Sequence, residues 1–198
     1  MSAPEPASPF GDALPAGRYG VPADPPPVRL AARRYTLVQV AARRRQADAL
    51  GNAIRSAFGL ELPPPGRAAV TGELTALWMQ PTTWLLMAPA GVPGEFARSV
   101  KHACEGAGSV VDQTQGRAVL HLAGRATREV LARICRVDLH PRVFRAGCVA
   151  ATPVAELDCL LYQRDDGPSF ELFVPASYAG WFAEAVQRAA ASSGYEIV

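Results

Sequence analysis

Apolar residues along the chain recur with period two in some stretches and with helical spacing in others, which predicts a succession of strands and helices. The first half opens with an alternating strand at 35–41. A helix follows that carries Leu50 and Ile54 on one stripe and ends at Gly59. The other elements predicted for this half are strands at 74–79 and 84–88, a helix at 94–107 and a strand at 110–112.

The second half repeats this order of elements. The elements predicted for it are a strand from Arg117, a helix at 126–135, strands at 149–155, 159–163 and 170–174, a helix at 177–192 and a last strand at 195–198. Both halves follow the βαββαβ order of the ferredoxin-like unit. The sequence therefore predicts an α+β fold in which two tandem ferredoxin-like βαββαβ units pack as one body.

The predicted division of the chain has three parts: an N-terminal arm at 1–30, a first ferredoxin-like unit at 31–114 and a second at 115–198. Residues 1–27 hold eight of the 18 prolines, so the arm is not expected to sustain helix or sheet hydrogen bonds. Spaced apolar residues such as Phe10, Leu14 and Tyr19 leave two interpretations open. The arm is either a floppy leader or a segment that drapes over a partner subunit.

The charges of the chain nearly cancel, since 20 basic and 18 acidic residues give a net charge of +2. Such a balance produces no long-range field that would collect nucleic acid or anionic lipid. Arg43-Arg44-Arg45 is expected to be a solvated corner and not a phosphate site. No stretch approaches 18 uninterrupted apolar residues, and no secretory leader is evident. We therefore expect a cytoplasmic protein with neither nucleic acid nor membrane as a partner.

The sequence contains few patterns that indicate chemistry. The four cysteines, Cys104, Cys135, Cys148 and Cys159, are too far apart along the chain to form a metal knuckle, so no metal site is predicted. They are expected to be buried thiols, although a disulfide remains open. The chain also lacks dinucleotide, P-loop and nucleophile-elbow motifs. The sequence therefore predicts neither catalytic nor cofactor-binding residues in this chain.

Asp112 and Trp84 are the strongest exceptions, and each has two interpretations. Asp112 follows a strand and could hold a folate pteridine or act as a base, but pairing with Arg117 or capping the turn at Thr114 is the favoured structural use. Trp84 faces Trp78 across a turn and could stack a flat ligand, although core packing is the favoured role.

Two histidines have simpler expectations. His121 alternates with apolar neighbours and is expected to face solvent, and His140 is expected to cap loop backbone.

Several segments together resemble the gamma subunit of heterotetrameric sarcosine oxidase. They are Asp112-Gln113-Thr114 followed by Arg117, Asp138-Leu139-His140-Pro141, and the segment Phe170-Glu171-Leu172-Phe173-Val174-Pro175. The family resemblance implies a fold similar to the folate-binding domain of aminomethyltransferases. It also implies a complex that demethylates sarcosine to glycine with oxygen, producing hydrogen peroxide and either formaldehyde or 5,10-methylenetetrahydrofolate.

By the same resemblance, the partners are alpha, beta and delta subunits. FAD, FMN, NAD and tetrahydrofolate are expected on the alpha and beta subunits, and zinc on the delta subunit. This chain would then have a structural role in assembly without an active site of its own. The alternative is a freestanding folate-dependent aminomethyl or one-carbon transferase, in which Asp112 and Trp84 grip the pterin. A folate-using RNA-modification factor is disfavoured by the balanced charge.

Overall fold

The computed structural model describes residues 8–198, which form twelve strands, four α-helices and two short 3-10 helices at Gly11–Ala13 and Ala176–Tyr178. In chain order the elements are β1 (Gly17–Tyr19), β2 (Arg29–Arg33), β3 (Tyr35–Ala42), α1 (Ala47–Phe58), β4 (Ala68–Thr71), β5 (Leu74–Gln80), β6 (Thr83–Pro89), α2 (Glu95–Ala103), β7 (Gly108–Asp112), β8 (Arg117–Ala123), α3 (Thr127–Ala132), β9 (Val149–Val154), β10 (Leu157–Asp165), β11 (Ser169–Pro175), α4 (Ala179–Ala190) and β12 (Tyr195–Ile197).

The first half of the chain forms a five-stranded antiparallel sheet with the order β4-β5-β6-β3-β7. Strands β3, β5, β6 and β7 have the order of a ferredoxin-like unit, in which the first strand lies between the third and the fourth. Strand β4 is an addition at the edge. The predicted α+β class and the ferredoxin-like arrangement are thus confirmed for this half.

The second half builds a seven-stranded sheet with the order β1-β12-β2-β8-β11-β10-β9. Strand β2 from the N-terminal part of the chain is antiparallel to β8 and takes the position expected for the last strand. Strand β12 lies one place further out and is parallel to β2. The border predicted at residues 30 and 31 therefore falls inside a strand of the second sheet, and the division into two units stays a prediction.

The two sheets stack face to face, and each carries two helices on its outer side. Leu37, Leu85, Val119 and Phe173 are buried in the layer between the sheets. A second apolar cluster lies between the first sheet and helices α1 and α2, and a third lies between the second sheet and helices α3 and α4. This order of layers, helix, sheet, sheet, helix, explains why central strands are apolar on both faces.

Helix α3 is shorter than the predicted 126–135 because the chain leaves the helix to pair with a strand. Cys135 forms an isolated antiparallel bridge with Val154, and the carbonyl of Ile134 accepts a hydrogen bond from Ala155 at 2.8 Å. The last turn keeps the hydrogen bond of 2.8 Å from Cys135 to the carbonyl of Leu131, but its outer groups pair with the strand. Helix α1, in contrast, ends where predicted, with Gly59 at a φ of 63°.

The described part of the N-terminal arm packs on this chain itself. Phe10 is buried in the core under α4, strand β1 pairs with β12, and Gln187 donates a hydrogen bond of 2.7 Å to the carbonyl of Ala13. These residues of the arm therefore have contacts that a floppy leader would lack. Whether the arm also covers a partner stays a prediction, and residues 1–7 lie outside the described residues.

Two further expectations concern the whole chain. The four cysteines are buried and free, as predicted for thiols. Among residues 8–198, no helix is long and apolar enough to cross a membrane.

Candidate functional site

A polar cluster lies at one end of the layer between the two sheets, and Glu171 is at its centre. Glu171 is the only acidic residue of strand β11, whose residues 169–174 are all buried. It has the same strand parity as Phe173, so its side chain points into the layer between the sheets. Its Cα partners on the neighbouring strands are His121 of β8 and Tyr162 of β10.

Three side chains approach one carboxylate oxygen of Glu171. The Tyr35 hydroxyl donates a hydrogen bond of 2.9 Å to Oε1, and Arg164 Nη1 lies 3.5 Å from the same atom. Arg164 also donates to the Tyr35 oxygen at 3.1 Å, and His121 Nδ1 lies 3.3 Å from Oε1. Tyr35 belongs to the first sheet and Glu171 to the second, so the cluster connects the two sheets.

Burial and charge determine the protonation of this cluster. Desolvation, together with the neighbouring Glu171 carboxylate, raises the pKa of Tyr35 to about 12, so its phenol keeps its proton and acts as a donor. Burial opposes the charge on Arg164, but Tyr35 and Glu171 outweigh that effect and raise the pKa of its guanidinium. The Glu171 Oε2 atom is buried without a hydrogen-bond partner among the described residues. This oxygen can accept one further donor.

Three residues of the cluster, Tyr35, His121 and Arg164, line an open cleft of about 970 Å³. Its walls include Arg33, Tyr35, Met87, His121, Tyr162 and Arg164. The guanidinium groups in its lining can hold an anionic group, and the Glu171 carboxylate, buried behind this lining, can accept an N–H or O–H donor. The geometry is therefore suited to binding a polar group or to joining the sheets.

The structure corrects the expectation that His121 faces solvent. Its side chain is only 13% exposed and lies beside Glu171, because β8 is a central strand covered on both faces. Glu171 itself was not singled out in the sequence as a site residue. A lone acid within a fully apolar strand is the signal that could have found this cluster, because a buried carboxylate requires a partner.

Asp112 and Trp84 are not brought together. Trp84 pairs with Val40 of β3, and Asp112 pairs with Val38 of the same strand. Standard strand spacings place their Cα atoms about 12 Å apart. A pterin site formed by these two side chains alone would have to span that distance. The alternative in which Asp112 and Trp84 bind folate stays a prediction.

Each of these two residues has a structural partner of the kind the sequence favoured. Asp112 Oδ1 accepts a hydrogen bond of 2.9 Å from the Thr114 backbone, which caps the turn as predicted. Trp84 is half-buried against the core under α1. Its indole nitrogen donates a hydrogen bond of 2.9 Å to the carbonyl oxygen of Pro63.

Arg128 is a further important residue that the sequence did not single out. Its guanidinium donates to the carbonyls of Leu139 and Phe144 and, at 3.1 Å, to the side chain of Gln163. It also lies 5.3 Å from the centre of the Phe170 ring. Arg128 therefore fixes the loop between α3 and β9 against the second sheet.

The histidine of this loop has the predicted capping role. His140 Nδ1 accepts a hydrogen bond of 3.2 Å from the backbone of Arg142. Asp138 Oδ1 accepts one of 2.9 Å from the backbone of His140 itself. Within residues 8–198, no group of three or more histidine, cysteine or carboxylate side chains is placed to bind a metal ion.

Comparison with known proteins places this arrangement in a family. A model of the sarcosine oxidase gamma subunit family matches residues 43–192, about three quarters of the chain. The chain belongs to the sarcosine oxidase gamma subunit family. The predicted membership is therefore confirmed.

Curated gamma subunits of sarcosine oxidase show the same relationship. The Arthrobacter sp. subunit is 35% identical over 132 residues, which cover 65% of this chain and 64% of the relative. The subunit of Corynebacterium sp. (strain P-1) is 36% identical over 117 residues, or 58% of this chain and 57% of the relative. The matches thus span less than two thirds of the length of these gamma subunits.

Solved structures support the fold. A chain of heterotetrameric sarcosine oxidase from Corynebacterium sp. U-96, in complex with pyrrole 2-carboxylate, superposes with a TM-score of 0.73 at 28% identity. That match covers 83% of this chain and 85% of the other. The aminomethyltransferase T of the Bartonella henselae glycine cleavage system has a TM-score of 0.62 at 17% identity, covering 86% of this chain and 47% of that one. The predicted aminomethyltransferase-like fold is thereby confirmed.

The segments that carried the family resemblance have structural roles in this gamma-subunit fold. The backbone N–H of Leu37 donates a hydrogen bond of 3.1 Å to the Thr114 hydroxyl oxygen, and the backbone N–H of Gln113 donates one of 2.8 Å to the carbonyl of Leu37. These bonds fix the crossing of the chain from the first sheet to the second. This segment of the family fingerprint therefore lies at a connection between the sheets.

Proposed function

We propose that this chain is the gamma subunit of a heterotetrameric sarcosine oxidase and serves its assembly without an active site of its own. The proposed complex converts sarcosine, oxygen and water to glycine, hydrogen peroxide and either formaldehyde or, with tetrahydrofolate, 5,10-methylenetetrahydrofolate. The observation that carries this proposal is the likeness to a chain of the Corynebacterium heterotetramer, which covers 83% of this chain at a TM-score of 0.73.

The internal geometry supports a structural role. Tyr35, Glu171 and Arg128 each connect one element of the chain to another. Asp112 and Thr114, which belong to the family fingerprint, bond to backbone within the same crossing. A subunit built in this way presents a fixed surface to its neighbours.

The proposed partners are the alpha, beta and delta subunits in a cytoplasmic complex. FAD, FMN, NAD and tetrahydrofolate would lie on the alpha and beta subunits, and zinc on the delta subunit. This chain would contribute no catalytic or cofactor-binding residue and no metal ligand. Substitutions in it are therefore expected to change assembly before they change the chemistry.

Co-expression tests this proposal. The chain is produced with and without the alpha, beta and delta subunits of a sarcosine oxidase, and complexes are separated by size-exclusion chromatography. We expect the chain to co-elute with the other subunits in equal amounts, and sarcosine-dependent oxygen uptake only in fractions that contain the alpha and beta subunits. A stable monomer that ignores the other subunits, or turnover of sarcosine by the chain alone, would contradict the proposal.

Titration with tetrahydrofolate tests the alternative of a freestanding transferase. We expect no heat of binding from the isolated chain in calorimetry, because Asp112 and Trp84 already have structural partners. Binding that is lost in both Asp112→Asn and Trp84→Phe would support the transferase instead. Binding that survives in both variants would place folate elsewhere on the chain.

A further inference from the structure

A groove of about 840 Å³ runs along the outer surface between helices α3 and α4, and we call it the α3–α4 groove. Small and apolar side chains form half of its lining: Ala132, Ile134, Pro153, Ala155, Ala185 and Ala189. Trp181 of α4 also lines it and is 48% exposed. A large exposed aromatic beside an apolar floor is typical of protein interfaces, where tryptophan often contributes much of the binding energy.

The charges around the α3–α4 groove are mostly positive. Three of its lining residues are arginines, Arg133, Arg136 and Arg188, and one is acidic, Glu156. Arg133 donates a hydrogen bond of 2.6 Å to a backbone carbonyl. Because a carbonyl carries no net charge, this bond does not neutralise the charge of Arg133. Within the described residues, the ion pair of Arg188 is with the exposed Glu184 at 3.8 Å. Arginines at an exposed apolar site favour a partner with carboxylates, because a guanidinium can bind a carboxylate through two hydrogen bonds.

One wall of the α3–α4 groove contains strained backbone. Ala155 and Glu156 form the two-residue turn between β9 and β10 and have positive φ values of 48° and 65°. Such turns ordinarily use asparagine and glycine, because other residues are disfavoured in the left-handed region. The hydrogen bond from Ala155 to Ile134 holds the turn against the end of α3. Strained residues in ordered structure are concentrated at binding sites, which makes this wall a second, independent indication.

We propose that the α3–α4 groove is the docking site for an acidic segment of a larger neighbouring subunit. The segment carries at least two carboxylates, which meet Arg136 and Arg188, and an apolar or aromatic side chain that packs on Trp181. This inference rests on the proposed function, because it assigns one face of the chain to the assembly described there. Glu156 lies in the same groove and weakens the attraction for an acidic partner.

Substitutions in the assembled complex test the docking site. Trp181→Ala and Arg136→Glu are each co-expressed with the other three subunits, and dissociation on dilution is followed by mass photometry. We expect the concentration at half-dissociation to rise at least tenfold for each variant. The matched controls are Tyr178→Ala and Arg44→Glu, an exposed aromatic and an arginine outside the groove, for which we expect less than a twofold change.

The outcomes separate this inference from the proposed function. If the wild-type chain assembles and the groove variants assemble equally well, the docking site is wrong while the proposed function stands. If the wild-type chain does not assemble, the proposed function fails and the docking site with it. Thermal melts of the free variants show whether they fold. If the Trp181→Ala variant does not fold, the Arg136→Glu variant alone tests the docking site. Arg136 is exposed and lies outside the core, so its replacement should leave the fold intact.

Photo-crosslinking identifies the occupant. Ala132, an exposed residue that lines the groove, is replaced by benzoylphenylalanine in the complex. We expect a crosslink to a segment of a larger subunit with two or more acidic residues within about one helical turn of an apolar residue. A crosslink to a second copy of this chain, to a segment without acidic residues, or to nothing would overturn the proposal.

Discussion

The hydroxyl of Tyr35 donates a hydrogen bond of 2.9 Å to the Glu171 carboxylate, and this bond joins the two sheets across the layer between them. Glu171 is fully buried, and its second oxygen has no partner among the described residues. A buried carboxylate with so few donors depends strongly on each of them. The stability of the chain should therefore respond to small changes at Tyr35.

Replacing Tyr35 with phenylalanine should lower the free energy of unfolding by about 1.5–3 kcal/mol, the usual effect of removing a hydrogen bond to a buried charged group. Urea unfolding followed by fluorescence measures the change. Tyr178→Phe is the matched control, because Tyr178 is 53% exposed. Equal stability of the two variants would show that the sheets do not depend on the Tyr35 bond.

The pH dependence of stability should follow the raised pKa of Tyr35. The folded-state pKa is about 12 against an ordinary value of 10.0, so the folded chain favours the protonated phenol. The resulting stabilisation is fully present below pH 10 and is lost as the pH rises through 12. The difference in stability between wild type and Tyr35→Phe should therefore shrink from pH 10 to 12. A difference that stays constant over this window would argue against the assigned environment.

Replacing Arg128 with alanine should lower the free energy of unfolding by about 1–3 kcal/mol, because it removes a partly buried guanidinium and leaves its acceptors without donors. The loop between α3 and β9 should become more mobile, since Arg128 holds its carbonyls at Leu139 and Phe144. Hydrogen–deuterium exchange of residues 136–146 measures this directly. Arg125→Ala, an exposed arginine one turn earlier, is the control and should leave exchange unchanged.

Replacing Glu156 with glycine should stabilise the chain by about 1 kcal/mol, because glycine adopts positive φ without strain. Thermal unfolding measures the gain. Glu156→Gln separates strain from charge, since it neutralises the side chain but keeps the strained backbone at a φ of 65°. We expect no gain in stability from glutamine. Both variants should tighten binding of an acidic partner in the α3–α4 groove, and unchanged assembly would count against that site.

Local sequence patterns were sufficient for most of the elements but not for their pairing. The alternation in β3 and the helical stripe of α1 depend on nearby residues, and both elements lie close to where they were expected. The place of β2 beside β8 depends on a contact between residues about 90 positions apart, such as Leu30 and Leu122. No short-range pattern records such a pairing, and the same applies to the shortened end of α3.

The polar cluster shows a similar limit. His121 alternates with apolar residues, which is typical of a strand with one face in water, but a second sheet covers that face here. The partners of Glu171 come from three different strands, β3, β8 and β10, so only the fold brings them together. The short-range cap of Asp112 on Thr114, in contrast, could be predicted because the two residues are neighbours.

The insertion of β2 between β8 and β12 affects the order in which the chain can fold during synthesis. The first sheet draws all its strands from residues 68–112 and from β3, so it can close while the rest of the chain is still being translated. The second sheet needs β2 from near the start and β12 from near the end. Such distant pairing is slow to form. The second sheet can therefore be completed only once β12 has been synthesised and has left the ribosome.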